Sequence, residues 1–474
     1  MKIKFLIQLS LMLLVFLVFV TSCNEDTPDT SDNTSEIKGL VKSFPAEASW
    51  EWNEIFLKVE RYAAGYRPGP APRALALMGL AAYEACVTGM PDYKSVKSLY
   101  PALVIPPIES GKTYHWPTVI HAVYTTMFPR FFVDASGNPS INPSVQPLVN
   151  QLITKLNAKY EIEAGSNEIY NRSRAYGQEV GLNVWNWSTT DAVGYKHYLD
   201  PFEKYVWQDH YKGPGNWVPT KPGPDKPMGG VYGGARTFAN FGQQLICRSP
   251  SYYDMDYSEN PKSTYFGQAL ETYSLTRKDF ETKWVGEFWS DDLLNLTFSP
   301  GPRWVAIANQ VIAIEKSNLE TAVFCYVKVG MAISDAAVGA WHSKYLYNVE
   351  RPQTYIQKVI DPTYVSALDN PLTGDRGFTP PFPAYPSGHS TMGGAGAEAL
   401  SSVFGYRYSM TDNCHKNRND FYGMSRTFES FYAMAEENAW SRVPLGVHWR
   451  MDCTEGVRFG YAIGEAVNKL PWKK

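Results

Sequence analysis

Residues 386–404 read PSGHSTMGGAGAEALSSVF, and this stretch decides the fold prediction. Ser387 belongs to the residue types that cap helix N-termini, and the small residues behind it suit a helix in a crowded bundle. A helix N-terminus offers free backbone N–H groups to an anion, and Gly388 lets an anion approach the backbone closely. His389 could then donate a proton to that anion. The stretch predicts an anion-facing helix that begins near Ser387, with a turn that merely caps a core helix as the alternative.

Upstream, residues 341–352 read WHSKYLYNVERP and place two cations at helical spacing. Lys344 and Arg351 are seven residues apart, about two helical turns, so they are predicted to lie on one helix face. Pro352 is predicted to end that helix. Two cations that share a face beside apolar residues repel each other unless an anion lies between them. Two unrelated surface cations are the alternative for this spacing taken alone.

Downstream, residues 441–452 read SRVPLGVHWRMD and combine a cation, a histidine and a carboxylate. His448 and Asp452 are four residues apart, which predicts that they share one helical face. A carboxylate beside a histidine fixes its tautomer and raises its basicity, as a metal ligand or a nucleophile requires. Arg442 adds a further positive charge. A surface ion pair on a helix, worth little to stability, is the alternative.

The remaining sequence is typical of a helical globular protein. Of 474 residues, 44% are hydrophobic and 19% are charged, and the net charge of −3 makes a nucleic-acid-coating protein improbable. We find no run of alternating strand residues, so we predict an all-α fold. Apolar periodicity predicts helices, a break at 68–72 and a Gly-, Pro- and aromatic-rich packed loop over 200–236; the helices are expected over 54–62, 74–87, 145–160, 166–187, 304–315 and 319–347.

The N-terminal segment indicates export. Residues 1–23 have a short basic start, an apolar run and the ending Val-Thr-Ser-Cys, which resembles a bacterial lipobox with Cys23 as the lipidated residue. A plain signal peptide or a single anchoring helix is the alternative. Residues 24–45 are predicted to form a polar, flexible tether, and residues 46–474 one α-helical catalytic domain. Five further cysteines, an odd number, argue against a complete set of disulfides but leave one or two bridges possible.

Taken in order, the three motifs over residues 341–452 resemble the superfamily shared by vanadium-dependent haloperoxidases and type 2 phosphatidic acid phosphatases. The resemblance implies a mostly helical fold, often two four-helix bundles, that holds a tetrahedral oxyanion. It implies one role for each motif residue: neutralising the oxyanion (Lys344, Arg351, Arg442), hydrogen-bonding it (Ser387, Gly388), bonding its central atom (His448), acid–base transfer (His389) and orienting His448 (Asp452).

The resemblance covers two chemistries, because vanadate and phosphate share shape and charge. In the phosphatases the equivalent of His448 attacks phosphorus and that of His389 protonates the leaving alcohol. In the haloperoxidases the equivalent of His448 ligates the vanadium of bound vanadate, and the equivalent of Lys344 polarises the bound peroxide. Chloride-type and iodide-type haloperoxidases carry a tryptophan and a phenylalanine at the positions of Trp341 and Phe382. The resemblance therefore implies that these two residues border a halide pocket. Core packing is the alternative explanation for both aromatic residues.

We therefore predict an exported, membrane-anchored haloperoxidase with one vanadate per chain. Its partners would be hydrogen peroxide and a halide, with iodide ahead of bromide, and the membrane through the lipid on Cys23; the organic acceptor stays open. The alternative is an exported acid phosphatase that works through a phosphohistidine. A third reading is a helical surface lipoprotein that binds an oxyanion or a glycan, but mere binding needs no acid–base, so His389 and His448 count against it.

Overall fold

Helices built from small and apolar residues make up most of the regular secondary structure in the described part of the chain. The computed structural model describes residues 39–202, 205–239 and 245–474. Within these ranges the helices are α1 (Glu47–Glu60), α2 (Pro70–Cys86), α3 (Trp116–Phe131), α4 (Gln146–Glu163), α5 (Asn167–Ser188), α6 (Thr264–Leu275), α7 (Phe280–Phe288), α8 (Pro302–Ile314), α9 (Leu319–Tyr347), α10 (Pro352–Val359), α11 (Gly388–Phe404), α12 (Phe431–Ser441) and α13 (Arg450–Asn468). Strands β1 (Met410–Asp412) and β2 (Arg426–Phe428) pair in an antiparallel hairpin. The all-α prediction is confirmed.

The long helix α9 runs through the core. It is long and apolar enough to cross a membrane, yet all of its most apolar window is buried inside the protein, as in a core helix of a globular domain. Helices α2, α11 and α13 pack against it. Glycines allow these close approaches: a Cβ on Gly460 of α13 would lie 2.2 Å from the Thr391 carbonyl oxygen of α11. A Cβ on Gly394 of α11 would likewise lie 2.5 Å from the Val457 carbonyl oxygen of α13, so small residues on both helices let them pack this closely.

The helices form two groups that meet along α2 and α9. Helices α1 to α5 pack together in the first group, in which α3 and α5 lie side by side. Helices α8, α9, α11, α12 and α13 form the second group, which contains all three motifs. The loops that precede α10 and α11, together with residues 289–301, cross the end of this second group and supply the remaining parts of the site.

Four of the six predicted helices lie where the sequence places them, and two begin earlier than predicted. Helices α4, α5, α8 and α9 lie where periodicity predicts them. Helix α2 begins at Pro70, inside the predicted break at 68–72, because proline lacks only an N–H that is unpaired in the first helical turn anyway. Helix α1 begins at Glu47 and not at 54. The described residues of 200–236 contain short 3₁₀ turns and one isolated β-bridge, between Asn216 and Val349, in agreement with the predicted loop.

The packed chain begins a few residues before the predicted domain start at 46. Val41 is fully buried, and the Leu319 N–H donates to the Phe44 carbonyl (2.8 Å). These contacts place the last residues of the predicted tether against α9. The signal segment, Cys23 and residues 24–38 lie outside the described residues. All five described cysteines are free thiols, so the disulfides that the sequence left possible do not form in this part of the chain.

Candidate active site

The first motif reaches the site by a route that differs from the prediction. Helix α9 ends at Tyr347, followed by Asn348 in the left-handed conformation (φ 50°), and Pro352 begins α10. Arg351 is therefore the residue before a new helix, and Lys344 and Arg351 do not share a helix face. The reason is local: asparagine tolerates the left-handed helix end, and proline favours the first helical position. Both cations are nevertheless fully buried.

Arg351 lies against the predicted central histidine. Its Nε donates to the Phe382 carbonyl (2.9 Å), and its Nη1 lies 2.8 Å from the Val447 carbonyl and 3.1 Å from His448 Nε2. Its Nη2 is buried and finds no acceptor among the described residues. Since a buried N–H without a partner is costly, Arg351 is suited to receive an acceptor that the protein alone does not supply.

Arg442, at the C-terminal end of α12, is the second guanidinium with unused donors. Its Nη2 pairs with the Asp292 carboxylate at 2.8 and 3.0 Å, while its Nε and Nη1 are buried without an acceptor among the described residues. Sequence reasoning missed Asp292 entirely. No motif marks this residue, and its role follows only from the folding of residues 289–301 over the end of the second helix group.

His448 is held in one tautomer by two neighbours. Its Nδ1–H donates to Asp452 Oδ2 (2.7 Å), and Arg351 Nη1, which can only donate, faces Nε2. The Nε2 lone pair is therefore free of a proton. The predicted pairing is correct, but the two residues do not share a helical face, because His448 precedes α13 and Asp452 is the third residue of α13. The Asp452 carboxylate also accepts the Trp449 backbone N–H (3.1 Å).

The second motif folds as predicted. Ser387 caps α11, its Oγ accepts the Ser390 N–H (3.3 Å), and its own N–H donates to the Asp452 carbonyl (2.9 Å). The His389 ring lies in the first turn, where its Nε2–H donates to the Ser290 carbonyl (3.2 Å). In the neutral ring this bond leaves Nδ1 as the atom that accepts a proton. Gly388 begins the helix, so its N–H is among those without an intrahelical partner.

Lys344 is fully engaged by backbone. Its Nζ donates to the carbonyls of Pro383 (3.0 Å), Ala384 (2.8 Å) and Pro386 (2.6 Å), which accounts for all three ammonium hydrogens. Lys344 thus fixes the loop that leads into Ser387. Direct contact between Lys344 and an oxyanion, which the resemblance implies, would require exchange of one of these carbonyls and stays a prediction.

Burial and mutual repulsion shift the titration of the site. Burial lowers the pKa of Lys344 well below its usual value, and that of Arg351 to about 9. Burial and the neighbouring cations lower the pKa values of His389 and His448 well below 6.5. Burial raises the pKa of Asp452 to about 7. Positive groups crowded in a medium of low dielectric constant favour an anion as their partner.

These directions predict the protonation state of both histidines in the anion-free protein. We expect His389 and His448 to stay neutral from pH 8 down to below pH 6.5, since protonation would add charge beside buried cations. Imidazole ¹⁵N NMR would show His448 protonated at Nδ1 and unprotonated at Nε2 throughout. The urea-unfolded protein is the control, with a midpoint near 6.5. A midpoint at that value for the folded His448 would contradict the assignment.

An aromatic wall closes one side of the site. The Trp341 and Phe382 rings lie 4.8 Å apart, and Lys344 Nζ lies 5.7 and 5.2 Å from their respective centroids. Trp341 Nε1 donates to the Met228 carbonyl (3.2 Å), which satisfies the one polar atom of its ring. His389, His448 and Arg442 face a cavity of about 360 Å³ that this wall borders. The structure thus brings every predicted site residue to one place.

Comparison with known sequences identifies the second helix group. Residues 324–471 match the family model of the VCPO second helical-bundle domain. The vanadium chloroperoxidase of Curvularia inaequalis is 29% identical over 234 residues, which is 39% of this chain and 38% of that protein. The chain thus matches about two fifths of the length of this curated relative, including the part that carries the site.

Comparison with solved structures extends over most of the chain. A structure described as the first bacterial vanadium-dependent iodoperoxidase superposes with a TM-score of 0.76 at 25% identity, covering 91% of this chain and 98% of that one. The holo form of a bacterial vanadium-dependent chloroperoxidase superposes with a TM-score of 0.56 at 15% identity, covering 85% and 93%. The second likeness concerns the fold alone.

Proposed function

From the premise that this chain belongs to the vanadium haloperoxidase family, we propose that it oxidises halide ions with hydrogen peroxide at a bound vanadate. One observation carries the proposal. Three buried guanidinium nitrogens, on Arg351 and Arg442, have no acceptor among the described residues, and they accompany His448, whose Nε2 carries no proton and accepts from Arg351 Nη1. A tetrahedral oxyanion would supply acceptor oxygens for the guanidinium N–H groups and an electrophilic central atom for His448 Nε2.

The residues present fit vanadate. Arg351 and Arg442 would bind its oxygens with their unused N–H groups, the first turn of α11 would donate backbone N–H groups, and His448 Nε2 would bond the vanadium. When bound, vanadate supplies a Lewis-acid centre that activates peroxide towards halide without needing to change its oxidation state. Asp452 keeps the proton on His448 Nδ1 and so keeps Nε2 available.

The other residues manage protons and water. His389 accepts, at Nδ1, the proton that hydrogen peroxide loses on binding, because Ser290 holds the ring proton on Nε2. Asp292, 3.9 Å from that nitrogen, favours the resulting imidazolium. Trp341 and Phe382 exclude bulk water from one side, which strengthens every charge interaction within. Lys344 would act on a bound anion only through its charge, because its three N–H groups are donated to backbone carbonyls.

The test is a matched pair of assays on one preparation. After removal of bound anions, orthovanadate, hydrogen peroxide and iodide should give triiodide at a rate that saturates with vanadate and that phosphate suppresses by competition. The same anion-free protein is then assayed with p-nitrophenyl phosphate. Turnover of this ester without any halide oxidation would reverse the ranking in favour of the acid phosphatase, which uses the same His448 as nucleophile and the same cations.

Iodide is the proposed preferred halide, supported by the likeness to the iodoperoxidase structure and by the apolar wall at Phe382. Replacing Phe382 with histidine adds a polar group that favours the smaller, more strongly hydrated bromide. We expect the kcat/KM ratio of iodide to bromide to fall about tenfold, the factor that 1.4 kcal/mol produces. Phe378→His, on the same cavity wall, is the control. An unchanged ratio would remove Phe382 from halide selection.

We further propose that the protein acts outside the cytoplasm, held to a membrane by lipid on Cys23. The support is the sequence of residues 1–23 and the polar segment that follows it. Mass spectrometry of the mature N-terminus tests this directly. A diacylglyceryl-modified Cys23 is the expected result, and an unmodified N-terminus downstream of Cys23 would contradict it.

A further inference from the structure

The cavity beside the oxyanion site is built mainly from side chains that resist oxidation. Leucine, phenylalanine and proline are the commonest residues of its lining, and no cysteine or tyrosine among the described residues belongs to that lining. Methionine is the exception, because its thioether sulfur is readily converted to the sulfoxide. Met228 and Met392 both line the cavity. An oxidant formed at the oxyanion site is therefore released next to two oxidisable sulfur atoms.

Solvent exposure separates these two methionines. Of the eleven described methionines, nine are at most 6% exposed, and Met392 is one of those with no exposed surface. Among the described residues only Met228, which is half-buried, and Met424, which is 45% exposed, present more of their side chains. Trp341, the other oxidisable ring of the wall, is 2% exposed. Because Met424 lies outside the cavity lining, Met228 is the accessible methionine of the cavity.

The backbone holds Met228 beside the oxyanion site. Its N–H donates to the Pro381 carbonyl (2.8 Å), and its carbonyl accepts from Trp341 Nε1 (3.2 Å) and the Tyr345 hydroxyl (2.6 Å). With both backbone groups bonded to protein, the side chain is what Met228 contributes to the cavity. The Trp341 ring spans the remaining distance, since a Cβ on Gly388 at the start of α11 would lie 3.1 Å from its Cζ3.

Confinement favours a reaction at Met228 over reactions outside the cavity. One oxidant molecule in a cavity of about 360 Å³ is at a concentration of about 5 M, whereas the same molecule released into solvent is diluted to the bulk concentration. The oxidant therefore meets the Met228 sulfur at a far higher concentration than it reaches at Met424 on the surface.

We propose that hypohalous acid formed in the cavity oxidises Met228 to the sulfoxide, and that this modification slows further turnover. The proposal rests on the haloperoxidase function proposed above, which supplies the oxidant. The sulfur lone pair attacks the halogen, so a sulfur–halogen bond forms, the halogen–oxygen bond breaks and hydroxide leaves. Water then attacks the sulfur, and the halide leaves with the electron pair of the sulfur–halogen bond. Of the two protons that this water loses, one neutralises the hydroxide; the sulfur is oxidised and the halogen is reduced to halide.

The sulfoxide changes the aromatic wall of the site. Oxidation converts a flexible apolar side chain into a polar one that accepts hydrogen bonds. The new oxygen draws water to the wall from which Trp341 and Phe382 exclude it, and it competes with the Met228 carbonyl for Trp341 Nε1. The enzyme thereby limits its own output when the oxidant is not carried away.

The first experiment measures access to the sulfur without any vanadate. The anion-free protein is treated with reagent hypoiodous acid, digested and analysed by peptide mass spectrometry. We expect sulfoxide at Met424 and Met228 and none at Met392, which lines the same cavity without exposed surface. Met228 that stays unmodified until Met392 also reacts would show that its sulfur is closed off, and would overturn the proposal.

The second experiment asks whether turnover directs the oxidant to Met228. The vanadate-loaded enzyme receives hydrogen peroxide and a smaller amount of iodide, with free methionine in the buffer to consume oxidant that escapes. We expect the ratio of Met228 sulfoxide to Met424 sulfoxide to exceed that produced by the reagent at least about tenfold. An equal ratio would overturn the proposal. The same yield of Met228 sulfoxide without iodide would also overturn it, because hydrogen peroxide alone would then be the oxidant.

The third experiment measures the effect of the modification on turnover. Met228→Leu keeps an apolar side chain of similar size that forms no sulfoxide, and Met424→Leu is the matched control. Halide oxidation by each protein is followed relative to its own initial rate. We expect Met228→Leu to complete about twofold more turnovers or better before its rate halves, and Met424→Leu to decline like the wild type. The same decline in all three proteins would refute the slowing of turnover.

The two proposals fail in different ways. Absence of vanadate-dependent halide oxidation in the wild type would refute the haloperoxidase function, whatever the reagent shows about access to Met228. Normal triiodide formation with Met228 unmodified would overturn the modification alone. The first two experiments use the wild-type protein, so they decide the question even where a substitution disturbs folding.

Discussion

We expect the His448→Ala variant to lose tight vanadate binding. The His389→Ala variant should still bind vanadate but lose turnover. The two rings differ in what they offer. His448 presents an unprotonated Nε2 backed by Asp452, so its loss removes the only covalent bond that the proposed site makes to vanadium. His389 contributes a proton acceptor, and removal of such a group typically lowers a rate by about 10²–10⁴-fold.

Equilibrium dialysis with vanadium quantification separates the two effects. We expect the dissociation constant to rise at least about 100-fold in His448→Ala, which corresponds to about 2.7 kcal/mol, and to change only a few-fold in His389→Ala. His210→Ala, at an exposed histidine stacked on Tyr205, is the control and should match the wild type in both measurements. Stoichiometric vanadium in His448→Ala would refute the ligand assignment.

The parts of the site that follow from local rules were predictable from sequence. Capping preference located the start of α11 at Ser387, because the serine hydroxyl replaces a backbone acceptor that the helix end lacks. The pairing of His448 with Asp452 was also predictable, although for the wrong reason. The pair is made by the turn that begins α13 and not by a helical face. Asp452, three residues after the capping residue Trp449, accepts both the Trp449 backbone N–H and the His448 Nδ1–H.

The parts that depend on distant segments were not predictable. The seven-residue spacing of Lys344 and Arg351 suggested one helix, but Asn348 ends α9 between them, and tertiary contacts with the Phe382 and Val447 carbonyls decide where the guanidinium points. Asp292 carries no motif and reaches Arg442 across 150 residues of sequence. Propensity and periodicity describe neighbours along the chain, whereas these contacts are set by how α12 and residues 289–301 pack.

A buried ion network behind the site holds this last segment in place. Arg303 of α8 donates from Nη1 to Asp291 Oδ2 (3.1 Å) and from Nη2 to Asp412 Oδ2 (2.7 Å), and His415 Nε2 lies 2.9 Å from Asp291 Oδ1. Arg303 and both carboxylates are at most 1% exposed. Asp291 has a positive φ of 24°, a backbone conformation that needs support from its surroundings. Its two chain neighbours are Ser290, which accepts from His389, and Asp292, which pairs with Arg442.

Replacing Arg303 with methionine should therefore destabilise the protein strongly and impair the site as well. Methionine keeps much of the volume but leaves two carboxylates buried without their cation, a change that typically costs 3–5 kcal/mol, or roughly a thousandfold in the folding equilibrium. In protein that remains folded, release of Asp291 loosens the Ser290 and Asp292 contacts, so the turnover rate falls more than the bound vanadate does.

Urea unfolding followed by tryptophan fluorescence measures the first effect, and turnover per bound vanadium measures the second. Arg277→Met is the matched control: Arg277 pairs with Asp369 through two N–H groups, but the two side chains are 33% and 35% exposed. A partly exposed pair is worth about 1 kcal/mol or less, because water solvates the carboxylate that remains. An equal loss in the free energy of unfolding in the two variants would show that the Asp291 and Asp412 carboxylates find other partners. Unchanged turnover per bound vanadium would show that the network does not position His389.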